Sequence, residues 1–168
     1  MTLIETVKNI VTRKPKQPVE PASKASLTAE QAAVLTVLHE VNQPLKELRL
    51  KVYTFLVDDS LNESYSLYDW NRGNTTIHSP AFHFDIERME LGGLVNTTVT
   101  KTTNNTTQKT HEITETGVEA INEFTYGRAV FGDIPHYVTD ITDEHAQKPL
   151  SNLINDVLTA HDEYDSLV

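Results

Sequence analysis

The chain has 168 residues, no cysteine, 38% hydrophobic residues and a formal charge of −10 at neutral pH. That length suits one core with extensions rather than two full-sized domains. Without cysteine there are no disulfide staples, thiolate zinc sites or cysteine nucleophiles; packing must supply the stability, and a reducing, cytoplasmic setting is expected. No run of 18 apolar residues occurs, so neither a membrane span nor a membrane partner is expected. The charge is uneven: residues 1–26 carry five Lys/Arg against two acids, a net +3, and the remainder nine against twenty-two, a net −13. Such an acidic body repels phosphates unless its few basic side chains gather on one face.

Taken in order, residues 2–12 place Leu3, Ile4, Val7, Ile10 and Val11 on one helical stripe, and Pro15, Pro18 and Pro21 forbid its continuation. Residues 1–26 therefore read as a short basic helix and a flexible linker. The next helix opens with a capping box, Thr28 with Gln31, and runs to Val41 on Ala32, Leu35, Leu38 and Val41. Asn42-Gln43 turns the chain, and Pro44 suits the first position of a second helix carrying Leu45, Leu48, Val52, Phe55 and Leu56 up to Asp58-Asp59. Tyr65 to Trp70 alternates aromatic and polar residues and predicts a short strand, followed by a turn at Asn71 to Asn74.

Ser79-Pro80 is an N-cap followed by proline, and Phe82, Ile86 and Met89 recur at helical intervals until Gly92-Gly93 stops a third helix. Residues 94–101 and 108–113 are β-branched strands joined through Asn104-Asn105, a hairpin. Thr114 caps a further helix bearing Val118, Ile121 and Phe124. Residues 125–141 read as irregular. A final helix, from about Asp143 to Tyr164 with Pro149 breaking or starting it, carries Leu150, Leu153, Ile154, Val157 and Leu158 on one face.

Three helices, a hairpin and a threonine-capped helix follow the order of winged helix-turn-helix proteins. Met89-Glu90-Leu91-Gly92-Gly93-Leu94-Val95 and Glu112-Ile113-Thr114-Glu115-Thr116-Gly117 resemble phrases of the MarR and PadR regulator families, over about 95 residues. About twenty extra residues, Tyr65 to Gly73 among them, separate the second and third helices. With Trp70 three before Gly73, this insertion resembles the Panacea-type antitoxin domain, although the proline that usually follows the glycine is missing. The expectation is an α+β fold: a winged-helix domain over 27–124, a basic tail over 1–26 and a C-terminal extension over 125–168.

That resemblance implies a transcriptional regulator that binds duplex DNA as a homodimer, paired through the C-terminal helix. The third helix would offer His78, Ser79, His83 and Arg88, and the wing Lys101, Asn104, Asn105 and Lys109. Against it, residues 79–91 hold one basic and three acidic side chains. The alternative is a protein-interaction module, antitoxin-like or an adaptor, on the same scaffold. Arg49, Lys51, Arg72, Arg88, Lys101 and Lys109 discriminate: one shared face favours DNA, dispersal favours protein. No phosphate loop, serine elbow or zinc-protease phrase occurs, so neither enzyme activity nor a cofactor is expected. His78 and His83, five apart, do not share a helix face, so no metal site is expected. The five N-x-Ser/Thr sequons read as coincidence in a chain rich in Asn and Thr.

Overall fold

A computed structural model describes residues 20–61, 66–73, 76–127 and 134–167. The helix expected over 2–12 lies outside them. A 3-10 turn (Lys24–Ser26) leads to α1 (Ala29–Val41), β1 (Leu45–Lys46), α2 (Glu47–Leu61), β2 (Asn71–Arg72), β3 (Ile77–His78) and α3 (Pro80–Leu91). The hairpin β4 (Val95–Lys101) and β5 (Thr107–Ile113) follows, then α4 (Glu115–Gly127), α5 (Ile134–His145) and α6 (Leu150–Leu167). Among the described residues the fold is α+β: six α-helices, an antiparallel sheet of order β1-β5-β4, and a separate β2-β3 ribbon. No helix among the described residues is long and apolar enough to cross a membrane.

Helices α1 and α2 form the centre. Every residue from Gln31 to Leu38 is buried, as are Leu50 to Phe55, Val57 and Asp58, because other elements cover both helices on several sides. The capping box at Thr28 is formed, with Thr28 Oγ1 accepting from Gln31 N and Gln31 Oε1 from Thr28 N. Asn42 ends α1 in the left-handed conformation, at φ 53°.

Several elements differ from expectation, each through contacts distant in sequence. Pro44 does not open a helix: Leu45 and Lys46 pair with His111 and Thr110 of β5, adding a strand before α2 begins at Glu47. No strand spans the described residues between 66 and 70, whose polar groups bond to side chains instead, and the ribbon comes later, pairing Asn71 with His78. Residues 134–145 are not irregular. Ile134, Val138, Ile141 and His145 recur at intervals of four and three and bury α5 against both α1 and α2. The final helix begins at Leu150, just after Pro149, and buries Leu153 and Val157 completely against α2. The most apolar part of that stripe thus lies in the chain's own core.

The glycine phrases have steric causes. A Cβ on Gly92 would lie 1.7 Å from the carbonyl oxygen of Ala22, and one on Gly117 would lie 2.4 Å from that of Leu94. Gly93 adopts φ 73°, the left-handed turn that sends the chain from α3 into β4.

One buried carboxylate fixes the stretch between α2 and α3. Asp58, near the end of α2, is 7% exposed. Its Oδ1 accepts from Leu67 N at 2.7 Å, and its Oδ2 from Tyr68 N at 3.1 Å and Trp70 Nε1 at 2.7 Å. Burial pushes the carboxyl up from its ordinary value, and the three donors pull the other way. Tyr68 Oη then donates to Asp85 Oδ2 on α3 at 2.7 Å, while Asp85 Oδ1 accepts from Gln31 Nε2 on α1 at 3.1 Å. Phe55, Tyr68, Trp70 and Phe82 pack around this chain of bonds, with centroid separations of 5.6 to 5.8 Å for the pairs Phe55–Trp70, Tyr68–Trp70, Tyr68–Phe82 and Trp70–Phe82.

An amide at position 58 accepts at one end only and presents an NH₂ to a backbone N–H at the other. Asp58→Asn is therefore expected to destabilise the fold by about 2 kcal/mol, the cost of a buried donor left without an acceptor. Urea unfolding followed by the single tryptophan, Trp70, measures it; a midpoint equal to that of the parent protein would refute the bracing role of Asp58.

Candidate interaction surface

The third helix is set in place from one side and presents its other side outward. Ser79 is fully buried, and its hydroxyl accepts from Phe82 N, capping α3. Phe82, Ile86 and Met89 anchor the helix in the core. The opposite face carries His83, Phe84, Glu87, Glu90 and Leu91, all exposed. Phe84 and Leu91, two turns apart, are 47% and 57% exposed and form an apolar pair on this outer face.

Beside this face runs a groove of about 440 Å³, whose charged walls are Glu47 of α2, Glu87 and Glu90 of α3, and Lys109 of β5, with His83 and His111 between them. Leu91 lines one edge. His111 is fully buried at the base. Its Nδ1 bonds Thr97 Oγ1 at 2.8 Å, and its Nε2 donates to Glu47 Oε1 at 3.1 Å, so the ring ties both hairpin strands to the first turn of α2. The hydrogen bond from His111 holds the Glu47 carboxyl below its usual value, against the opposing effect of burial. Burial pushes the His83 imidazole down.

The expected DNA contacts separate into groups. His83 and Lys109 meet in the groove. His78 is exposed at the end of β3, and Lys101, Asn104 and Asn105 are exposed at the far end of the hairpin, where Asn105 takes the left-handed turn at φ 63°. Ser79 has no outward face. Arg88 is engaged with its own chain: Nε donates to the Glu20 carbonyl at 2.9 Å, and the guanidinium lies over the Phe84 ring, 5.8 Å from its centroid.

Five of the six discriminating cations are likewise dispersed, the side chain of Arg72 lying outside the described residues. Arg49 donates to Tyr53 Oη and the Lys148 carbonyl on the α5–α6 side, Lys51 is buried and its amine pushed down by burial, and Lys101 and Lys109 lie at different heights of the hairpin. Among the described residues no three His, Asp or Glu side chains cluster to hold a metal ion. Sequence reasoning passed over Phe84, Leu91, Glu87, Glu90 and Glu47 as site residues. Two large apolar residues seven apart and out of phase with the 82-86-89 stripe were the available signal for the first pair.

Glu47 binds its proton less tightly in the folded protein than in the unfolded chain. Its stabilising effect is therefore present above the ordinary glutamate value of 4.5 and lost as pH falls through the lower, folded value. Glu47→Gln is expected to lower stability by about 1 kcal/mol near neutral pH and by less as pH falls below the ordinary glutamate value, flattening the acid limb of a stability-versus-pH curve. Identical slopes for parent and variant would contradict this.

The sequence matches no family model and no curated protein at a significant level.

Proposed function

We propose that this chain is a non-enzymatic protein-interaction module on a winged-helix scaffold, and that its groove grips a basic, amphipathic segment of a protein partner. The order α1, β1, α2, α3, β4, β5 with sheet order β1-β5-β4 supports the scaffold, the residues between α2 and α3 being an insertion within it. The observation that carries the function is the outer face of α3. Where a DNA-reading helix needs donors, this one offers Glu87 and Glu90 flanked by exposed Phe84 and Leu91, with its one arginine tied to Glu20. Carboxylates facing phosphates repel and release no counterions, whereas the same carboxylates beside apolar side chains suit Lys/Arg on an amphipathic helix.

The hairpin favours a second reading. Its tip is long, exposed and polar, with Lys101, Asn104 and Asn105 free of the acidic groove, as a homodimeric DNA-binding regulator would use a wing.

Two measurements decide between them. Titration of labelled duplex, including the region upstream of the chain's own coding sequence, is expected to give binding no tighter than the roughly 10⁻⁴ M of weak non-specific association at physiological salt. A photo-crosslinker at position 84 is expected to give a discrete protein adduct in the native cell, lost in the Glu87→Lys, Glu90→Lys variant. Nanomolar DNA binding that falls steeply with salt and disappears with Lys101→Ala and Lys109→Ala would overturn the proposal in favour of the regulator.

A further inference from the structure

We propose that the groove beside α3 has an occupant within this chain: the basic N-terminal segment, residues 2–16, which a protein partner must displace. This rests on reading the α3 face as a docking surface.

The described chain begins at that face. Ala22 N donates to the Arg88 carbonyl at 3.0 Å, Arg88 Nε donates to the Glu20 carbonyl at 2.9 Å, and Ala22, 2% exposed, lies against Gly92, where any side chain would evict it. Glu20 is thus fastened beside the outer side of α3. Successive residues turn by about 100° around a helix, which puts Phe84 and Leu91 next to Arg88, and Glu87 and His83 next to those. A segment arriving over Arg88 meets the exposed apolar pair first and the acidic groove second.

The chain before Glu20 has the complementary chemistry. Residues 1–19 carry Lys8, Arg13, Lys14 and Lys16 against a single acid, Glu5. Leu3, Ile4, Val7, Ile10 and Val11 supply an apolar stripe at helical spacing, and Phe84 and Leu91 are exposed apolar partners of matching size. Seven residues lie between positions 12 and 20, and the eight Cα steps can span about 26 Å, more than the roughly 18 Å length of α3, with Arg13, Lys14 and Lys16 laid along that path. Tethering through a linker this short gives an effective concentration of order millimolar, so a contact too weak to hold between separate molecules is populated within one.

The absence of cysteine allows a single nitroxide to be placed at Asn9→Cys, off the apolar stripe. In the full-length protein, amide signals of residues 83–91 and of Lys109 are expected to lose most of their intensity. Phe84→Asp with Leu91→Asp is expected to restore them, as is Glu87→Lys with Glu90→Lys, with Trp70 fluorescence reporting that each variant remains folded. Broadening that is absent, spread evenly over the surface, or present when the nitroxide and the isotope are on different molecules would overturn the proposal. Neither DNA nor a partner is added, so the result stands apart from the test of function. Tight DNA binding together with localised broadening would leave the segment docked and remove only the protein-interaction reading.

Discussion

A carboxylate taken out of water needs donors, and Asp58 accepts from three of them in one short stretch, Leu67 to Trp70. That demand makes the residues between α2 and α3 a brace. Two backbone N–H groups and an indole N–H that would otherwise need water are satisfied at once, and the aromatic rings that follow close over the end of α2. Tyr68 then passes the constraint to Asp85 and, through it, to Gln31 of α1. Three helices are held by side chains that each do two things. Gln31 caps its own helix with its oxygen and reaches α3 with its nitrogen, and Asp85 accepts from two elements with its two oxygens. Hydrogen bonds in such a chain are set by geometry in a way that apolar contacts are not, so the brace fixes how α3 is rotated as well as where it lies.

Rotation matters because α3 has two faces of different chemistry. With Phe82, Ile86 and Met89 turned inward and Asp85 held at the flank, Glu87, Glu90, Phe84 and Leu91 have nowhere to go but outward. On the neighbouring wall, the buried His111 fixes the hairpin to Glu47 and so fixes the width of the groove. Two polar arrangements, one on each side of α3, therefore shape a single surface.

What could be read from the sequence was what local chemistry decides. Thr28 with Gln31, Ser79 with Pro80, Thr114 before α4 and Asn105 in the hairpin turn all act within four residues, and the structure has each of them. The missed elements are decided by distant partners. Two residues become β1 only because β5 lies alongside, more than sixty positions later. Gly132 and Pro135 made 125–141 look irregular, yet Pro135 falls in the first turn of α5, where its missing N–H costs little, and the stripe from Ile134 to His145 is buried by α1 and α2. Asp58 read as a helix-end acid because its donors come nine to twelve residues onward, out of a stretch whose alternation imitates a strand. Of the site, His83 and Lys109 were picked as contacts, but their meeting in an acidic groove depends on the hairpin folding back beside α3.

If the groove holds a partner as proposed, its charge pattern also sorts partners. Apolar contact at Phe84 and Leu91 favours any amphipathic segment, and apolar area alone says little about which one. On the proposed reading, Glu47, Glu87 and Glu90 add the discrimination: carboxylates attract Lys and Arg, would set the register of a helix laid along α3, and repel phosphates. Lys109 tempers this field at one wall, so the acidic edge is strongest along α3 itself. A partner that satisfies both demands must be apolar on one side and basic beside it, and residues 2–16 of this chain have that sequence pattern.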